Sequence, residues 1–220
     1  MAPLTELIPP LADGLVVTIE LTLGAAAIAI GAAFVAGVGR LSRHHWLRYP
    51  AIAYIEIFRG TSALVQLFWF YFVLPLFGLN LSAMVAGMLA LGLNTGAYGA
   101  EVVRGAIQAV PRGQREAAVA LNMTRAQTLM RIIVPQAVIA MLPPAGNLLI
   151  ELLKNTSLVS LIAIAELTFR AQALRAATLQ TGEIFALILI LYFAMSLMIM
   201  GTVRWLEGRL ARGLDHGRVR

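Results

Sequence analysis

Residues 111–135 read PRGQREAAVALNMTRAQTLMRIIVP and form the one long polar interruption of an apolar sequence, which we call the polar loop. Glu116 lies early in this segment, where the helix dipole favours an anion, and the alanines that follow propagate a helix. Asn122 tolerates the left-handed conformation that closes a helix. Thr124 and Gln127 have the spacing of a capping box, which starts a second helix. The polar loop is therefore predicted to form two short helices joined by a tight turn.

The composition is that of a membrane protein rather than of a soluble domain. Hydrophobic residues make up 60% of the 220-residue chain and charged residues 13%, whereas soluble domains average roughly 45–50% apolar and 25% charged residues. The net charge is +6, but the arginines are scattered without forming a basic helix face, so no nucleic-acid partner is expected. Cysteine is absent, which excludes a disulfide framework. The basic residues are instead expected to fix the orientation of the chain in a membrane.

Five apolar segments predict an all-α membrane protein with five transmembrane helices. Each segment reaches the about 20 residues that an α-helix needs to cross a bilayer. The segments are residues 14–38, 51–79, 84–107, 132–153 and 183–205. The second is longer than a bilayer requires, so its first two turns are expected at the membrane interface. Prolines are expected to interrupt the fourth, where neighbouring helices or a water-filled cavity would satisfy the freed carbonyls.

The distribution of arginine and lysine predicts the orientation of these spans. With the N-terminus outside, the inside segments hold most of the arginines, and the outside segments keep only Lys154, Arg170 and Arg175. Basic residues are enriched on the cytoplasmic side of membrane proteins. We therefore expect residues 1–13 as an extracytoplasmic N-terminal segment, the polar loop in the cytoplasm between spans 3 and 4, and residues 208–220 as a basic cytoplasmic tail.

Several motifs resemble those of a known family of transport proteins. The Glu-Ala-Ala of residues 116–118, Asn122, and the Ile-Val-Pro of residues 133–135 resemble the EAA loop of ABC-importer permeases. That family usually has Gly at the position of Asn122, and Asn is the next best residue for a left-handed conformation. The flanking AYGAEVVRGAIQAVPRGQ, the earlier FRGTSALVQLFWFYFVLP and the later LLKNTSLVSL look like the polar amino acid branch. The matches together cover about residues 18–206.

The resemblance implies a fold, a location and a role for the polar loop. It implies a type I importer transmembrane domain over residues 14–207, in the cytoplasmic (inner) membrane of a bacterium. In that family the loop sits in a groove of a cytoplasmic ATPase and transmits the movement of the ATPase to the spans. The residues that the resemblance assigns to this coupling are Arg112, Gly113, Glu116, Ala117, Ala118, Asn122 and Arg125.

The resemblance also implies a set of partners. These are an ABC ATPase dimer, a second permease chain that is identical or homologous, an extracytoplasmic solute-binding protein and the lipid bilayer. ATP and Mg are expected in the ATPase, and neither a cofactor nor a metal is expected in this chain. Its only lysine, Lys154, lies outside any G-x-x-x-x-G-K-[ST] phosphate loop. The chain is therefore expected to be a transport subunit and not an enzyme.

Charged residues inside the predicted spans are candidates for function, because a charge in a bilayer is costly. Glu56 and Arg59, and likewise Glu101 and Arg104, are three residues apart, which places opposite charges on one helix face. We interpret both as structural or gating ion pairs. The alternative is that each pair neutralises itself near a membrane boundary. Glu20 lies alone in the first span, and the sequence assigns it no role.

The substrate path has two groups of candidate residues. Glu151, Lys154 and Asn155 lie at the outer end of the fourth predicted span, and Asn94 lies near the middle of the third. A carboxylate and an ammonium group three residues apart would suit a ligand that carries both charges. For Asn94, the alternative is a hydrogen bond between two helices.

A stripe of small residues marks the third predicted span as a packing surface. Gly92, Gly96 and Ala100 recur every four residues. Small residues at this spacing let a second helix approach closely. We therefore expect a neighbouring helix to pack against this face.

The function that these features favour is the permease subunit of an ATP-driven ABC importer for polar amino acids or related zwitterions. Import of ectoine or hydroxyectoine by the same machinery is an alternative, because that subfamily shares the motifs. An ion-driven secondary transporter is an alternative of another class, which predicts inverted repeats and broken helices in corresponding halves. The chain has no convincing internal repeat, and the polar loop would then lack a purpose.

Overall fold

The computed structural model describes the backbone of residues 4–211 and the side chains of residues 7–211. All regular structure in this part of the chain is helical, as the apolar segments predict. The α-helices between residues 4 and 211 are α1 (Leu4–Arg40), α2 (His45–Gly60), α3 (Ala63–Phe68), α4 (Ala83–Ala109), α5 (Arg112–Ala120), α6 (Arg125–Thr128), α7 (Val134–Asn155), α8 (Leu167–Thr178) and α9 (Thr181–Ala211). Short π-helical segments occupy Trp69–Val73 and Leu129–Ile133, and 3-10 segments occupy Leu74–Phe77 and Thr156–Ile162.

The pairing of α1 with α4 forms the centre of the fold. A Cβ atom on Gly92 would lie 2.8 Å from the carbonyl oxygen of Ala25, and one on Gly96 would lie 2.8 Å from the Cβ atom of Ala32. The two helices are therefore too close for a larger side chain at either glycine. This confirms the packing surface predicted from the small-residue stripe, and the helix that occupies it is α1.

The predicted second span, residues 51–79, is broken rather than continuous. α2 starts before it, at His45, and the helical segment that starts at Ala63 makes an angle of 106° with α2. The carbonyl oxygen of Phe58, at the end of α2, accepts hydrogen bonds of 2.9 Å from the side-chain amides of Gln66 and Asn94. A sharp bend is tolerated because these side chains replace the lost helical hydrogen bonds. A continuous helix over residues 51–79 was therefore wrong, since hydropathy does not register such a bend, and a single crossing by the bent pair stays a prediction.

The prolines of the predicted fourth span do not interrupt it. Helical structure continues from Arg125 to Ile162 and contains Pro143 and Pro144 within α7. Pro135 is the second residue of α7 and lacks the N–H group that a continuous helix uses at this position. The π-helical turn Leu129–Ile133 directly precedes α7 and takes up the change in hydrogen bonding. The expected interruption was therefore wrong.

Three helical stretches are long and apolar enough to cross a membrane by length and composition: Leu7–Arg40, Arg125–Ile162 and Thr181–Ala211. The bent pair His45–Gly60 and Ala63–Phe77 makes a fourth if it is one span. α4 covers the predicted third span but is not among them, because glycines and polar residues lower its hydropathy, and it packs against α1, α2 and α7. The all-helical membrane architecture is thus confirmed, whereas five spans and their orientation stay predictions.

The N-terminal part of α1 is longer than predicted. The helix begins at Leu4, so most of the segment predicted at residues 1–13 is helical, although it contains two prolines. Leu7 and Leu11 are buried against α8 and α9, and this apolar burial stabilises the first turns. Of the predicted basic tail, residues 208–220, the part after α9 lies outside the described residues.

Candidate functional site

The polar loop consists of a short helix, a turn and a second helix start. α5 occupies Arg112–Ala120, with Pro111 as its N-cap. Asn122 has a φ angle of 52°, which is the left-handed conformation predicted for it. The Thr124 hydroxyl accepts from the Gln127 N–H at 3.2 Å, and the Gln127 side-chain oxygen accepts from the Thr124 N–H at 2.9 Å, which confirms the capping box. The second helix, α6, is however not separate, because it has four residues and continues through the π-helical turn into α7.

Two features attach α5 to the membrane part of the chain. The guanidinium group of Arg115 donates a hydrogen bond of 3.0 Å to the carbonyl oxygen of Ile107, near the C-terminal end of α4, where carbonyls lack helical partners. The side chain of Ala118 is only 2% exposed. Glu116 lies beyond the first turn of α5, so the predicted stabilisation by the helix dipole was wrong.

The outer surface of the polar loop combines charged and apolar side chains. Most residues predicted to couple to an ATPase are exposed, namely Arg112, Gly113, Glu116, Ala117, Asn122 and Arg125. Val119, Leu121 and Met130 are 70%, 76% and 67% exposed. Exposed apolar side chains beside charges on one short loop are a feature of protein contact surfaces. These three were not predicted, because in the sequence they are indistinguishable from ordinary helix-forming or core residues.

A cluster of charges joins α1, α2 and α4 at the C-terminal end of α1. The guanidinium group of Arg40 donates to one carboxylate oxygen of Glu101 and lies 3.4 Å from a carboxylate oxygen of Glu56. Arg104 donates to the other oxygen of Glu101 at 2.7 Å. Glu101 therefore bonds two arginines, and the predicted pair with Arg104 is present. The contact with Arg40 was not predicted, because it depends on how α1 lies against α4.

The predicted ion pair between Glu56 and Arg59 does not form. Glu56 contacts Arg40 instead. The guanidinium carbon of Arg59 lies 5.3 Å from the centre of the Tyr98 ring, within the range of a cation–π interaction. Arg59 belongs to the last turn of α2, and α4 offers it an aromatic ring there. The spacing along one helix was therefore a poor guide to the partners of these charges.

One face of α7 is polar and exposed. Glu151 and Lys154 are exposed, and Asn147, also exposed, lies four residues before Glu151 on the same face. Among the described residues, neither Glu151 nor Lys154 forms an ion pair. Asn155 is half-buried at the end of the helix. Asn147 was not predicted, although its four-residue spacing from Glu151 is a signal that would have found it.

Asn94 differs from these residues, because its side chain is already engaged inside the chain. It is 7% exposed. Its amide group donates to the carbonyl oxygen of Phe58 at 2.9 Å and to the side-chain oxygen of Gln66 at 3.1 Å. The structure thus contains the hydrogen bond between helices that was the alternative for Asn94, and it places that bond at the bend after α2.

The structure contains a buried carboxylate, that of Glu166, which was not predicted from the sequence. Glu166 is fully buried and caps α8, where its oxygens accept from the N–H groups of Thr168 at 2.8 Å and Phe169 at 2.7 Å. The Tyr192 hydroxyl of α9 donates to the same carboxylate at 3.1 Å. Burial raises the pKa of Glu166 above its usual range, against these hydrogen bonds, which favour the charged form. Glutamate is not among the preferred N-cap residues, so the sequence carries no clear signal for it.

Most of the chain matches one protein family. Residues 28–212 match the family described as "Binding-protein-dependent transport system inner membrane component". The chain belongs to this family. The resemblance to importer permeases that was recognised in the polar loop is thereby confirmed.

Several relatives in this family are similar over nearly their whole length. The chain is 46% identical to the probable amino-acid ABC transporter permease protein y4tF of Sinorhizobium fredii, over 95% of this chain and 90% of the relative. It is 36% identical to the L-cystine transport system permease protein TcyB of Bacillus subtilis, over 93% and 88% respectively. It is 34% identical to the glutamine transport system permease protein GlnP of Escherichia coli, over 92% and 94%.

Solved structures show the same fold. An amino acid ABC transporter crystallised with histidines superimposes with a TM-score of 0.86 at 37% identity, over 94% of this chain and 96% of that one. The inward-facing methionine ABC transporter MetNI superimposes with a TM-score of 0.79 at 18% identity, over 93% and 98%. The second likeness concerns the fold alone. The helical arrangement of this family member is thus that of ABC-transporter membrane domains.

Proposed function

We propose that this chain is the permease subunit of an ATP-driven ABC importer that carries polar amino acids across the cytoplasmic membrane. Membership of the family supports a role in transport, and the relatives include permeases named for glutamine and for cystine. The observation that carries the proposal is the polar loop, whose exposed surface combines charges with large apolar side chains. Such a surface suits a protein partner.

The partner proposed for the polar loop is the ATPase, which binds ATP and Mg. Val119, Leu121 and Met130 supply apolar contacts, and the charges of Arg112 and Glu116 beside them select the partner surface. Because α6 continues into α7, a displacement of the loop moves α7 with it. Closure of the ATPase dimer on ATP draws two such loops together and opens the path outward. Hydrolysis of ATP restores the inward-facing state.

The substrate path is proposed to run along the polar face of α7. Glu151 and Lys154 are exposed charges within a helix that is apolar enough to span the membrane, and contact of such charges with lipid is unfavourable. A second permease chain would cover this face and enclose a path lined by Asn147, Glu151, Lys154 and Asn155. A carboxylate and an ammonium group suit the two charges of an amino acid zwitterion. Asn94 would act on the path indirectly, through the bend it stabilises.

The topology proposed for the assembled transporter has five crossings, with the N-terminus outside and the polar loop in the cytoplasm. α4 supports the count, because its 27 residues exceed the about 20 that cross a bilayer and it packs against α1, α2 and α7. The charge cluster around Glu101 would hold α1, α2 and α4 together while α7 moves. A solute-binding protein outside would deliver the amino acid.

The substrate class is tested by reconstituting the chain with its ATPase and binding protein in proteoliposomes. The measurement is ATP hydrolysis stimulated by binding protein loaded with individual polar amino acids, ectoine or hydroxyectoine. We expect the largest stimulation with a polar amino acid. Stimulation by ectoine or hydroxyectoine alone would change the proposed substrate from polar amino acids to ectoines. The proposal that the chain is an ABC-importer permease would still stand. Uptake driven by an ion gradient without ATP would overturn the proposal.

The docking role of the polar loop is tested by a charge reversal with a matched control. Glu116→Arg is expected to reduce co-purification of the ATPase by about tenfold or more, the effect of losing roughly 1.4 kcal/mol of binding free energy. Glu183→Arg makes the same change at an exposed position in the first turn of α9 and is expected to leave co-purification unchanged. Equal co-purification with both variants would contradict docking through the polar loop.

A further inference from the structure

A cleft lies among four helices of the membrane part of the chain. α1, α4, α7 and α9 enclose a volume of about 380 Å³, within the range of roughly 300–1,000 Å³ in which ligand sites of proteins fall. We call it the apolar cleft. Its walls include Ala29, Phe34, Gly99, Ala145, Val203 and Leu206. It is separate from the polar face of α7, because none of the polar residues of that face lines it.

Small residues create this space. Ala29 and Ala33 on α1 and Ala145 on α7 line it with single methyl groups and leave the room that larger side chains would fill. At the edge of the cleft, Ile30 and Phe34 of α1 are 54% and 43% exposed, so the space is open towards the surroundings of the helices. The occupant can therefore enter from the side, without passing along the substrate path.

The chemistry of the walls defines the occupant. No charged side chain lines the apolar cleft in the described part of the chain, and the only hydroxyl groups there belong to Thr95 and Thr202. The Thr202 hydroxyl already donates to the carbonyl oxygen of Met198 at 2.8 Å. A polar solute would lose its hydration and gain in exchange only hydrogen bonds to the two threonine hydroxyls. A hydrocarbon chain would lose nothing, and α1, α7 and α9, three of the four lining helices, belong to stretches that are apolar enough to span a membrane.

A basic and an aromatic side chain, Arg209 and Trp205, lie beside one end of the apolar cleft. Leu206 is the last lining residue of α9, and Arg209 lies three residues further on the same side of the helix. The guanidinium carbon of Arg209 lies 5.1 Å from the centre of the Trp205 ring. Among the described residues Arg209 has no carboxylate partner. Tryptophan and arginine are typical of the membrane interface, where basic side chains attract anionic headgroups.

We propose that the apolar cleft binds an acyl chain of an anionic phospholipid, whose headgroup is held by Arg209 beside Trp205. The acyl chain fills the space between α1 and α9, and the phosphate accepts hydrogen bonds from the guanidinium group. This lipid site does not depend on which amino acid is transported or on how the polar loop docks. It adds an anionic lipid to the partners of the protein.

The proposal is tested on the complete transporter in lipid nanodiscs that contain phosphatidylglycerol with a photoactivatable diazirine in its acyl chain. After illumination, mass spectrometry of peptides locates the label. We expect the label at Ile30, Phe34 and Leu206 in excess over Leu189 and Phe193, which are exposed on α9 but do not line the cleft.

Substitutions that fill the cleft give the decisive comparison. Ala145→Phe fills it from α7 and is expected to reduce labelling of Leu206 by about tenfold. Ala27→Phe adds the same side chain on an exposed part of α1 outside the cleft and is expected to leave labelling unchanged. If Ala145→Phe does not give monodisperse protein, Thr202→Phe fills the cleft from α9 and takes its place. Unchanged labelling in the filled variant would overturn the proposal.

The headgroup contact has its own variant. Arg209→Gln is expected to abolish the preference of the site for phosphatidylglycerol over phosphatidylcholine, measured by competition with unlabelled lipid. Arg175→Gln, an exposed arginine in the last turn of α8, is expected to keep that preference. A disulfide formed under an added oxidant between Thr202→Cys and a cysteine introduced into the second permease chain, without lipid labelling, would assign the cleft to a protein contact and overturn the lipid site.

Discussion

Gly92 shows how little space a single position can have in this fold. A Cβ atom there would meet the carbonyl oxygen of Ala25 at 2.8 Å, whereas a Cβ atom on Gly31 would meet nothing within 4 Å. We expect Gly92→Ala to lower the free energy of unfolding by about 1–3 kcal/mol, because α1 and α4 must move apart. Gly31→Ala should be neutral or stabilising by about 0.4–1 kcal/mol. Thermal denaturation followed by size-exclusion chromatography measures both, and equal melting temperatures would contradict the close helix contact.

Glu166 is buried and also caps α8, and two substitutions distinguish the stability that comes from the cap from that of the buried charge. Glu166→Ala removes the acceptor of two N–H groups at the start of α8 and is expected to lower the free energy of unfolding by about 1–2 kcal/mol. Glu166→Gln keeps a side-chain oxygen as acceptor and should lose less. Melting temperatures of the two variants at one pH make the comparison. A Glu166→Gln variant less stable than Glu166→Ala would contradict the capping role.

The buried carboxyl of Glu166 also predicts a pH dependence. Burial raises its pKa in the folded state above the unfolded value. Protonation of this group therefore adds stability that is fully present below the unfolded pKa and is lost as the pH rises through the folded pKa. We expect the wild type to lose stability relative to Glu166→Gln across that rise, because glutamine does not titrate. A difference in melting temperature that does not change with pH would contradict the raised pKa.

Among the elements, the polar loop depends most on one backbone conformation. Asn122 joins α5 to α6 with a φ angle of 52°, where a β-branched residue is strained by roughly 1–2 kcal/mol. We expect Asn122→Gly to preserve ATPase stimulation and Asn122→Val to reduce it, because the strained turn displaces the docking surface. Gln114→Val, within α5, places the same side chain where φ is helical and serves as the control. Equal activity of the two valine variants would contradict the role of the turn.

The other elements show why charges were harder to assign than helices. The turn at Asn122 and the capping box follow from a few adjacent residues, and the structure has both. The partner of Glu56 follows from the approach of α1, and Arg59 lies over a ring of α4. A spacing of three along one helix cannot reveal a more favourable partner on a neighbouring helix. For the same reason, Asn94 was a candidate for the substrate path until the bend after α2 placed Phe58 and Gln66 beside it.

For the whole molecule, we predict an orientation in the membrane that places the polar loop in the cytoplasm. The chain has no cysteine, so single-cysteine variants can be labelled without background. In intact spheroplasts, a membrane-impermeant maleimide should label Leu179→Cys, an exposed position between α8 and α9, and should label Arg112→Cys only after lysis. The reverse pattern would place the polar loop outside and contradict the proposed ATPase contact.

The class of protein, the helical content, the family and the local shape of the polar loop could all be predicted from the sequence. These properties follow from hydropathy, capping residues and short motifs, all of which act within a few residues. The structure places helices over every predicted span, although α2 and α3 divide the second of them. The small-residue stripe also predicted a helix contact, because glycines admit a neighbour whatever its identity.

The packing of the helices against one another settled which helix fills that contact, where the second span bends and which groups pair with each charge. It also decided that Glu166 is buried, that Val119, Leu121 and Met130 are exposed, and that four helices leave an apolar cleft. Each of these depends on the relative position of residues far apart in the chain. Interactions between such residues are set by how whole helices pack, and a pattern along one helix does not contain that information.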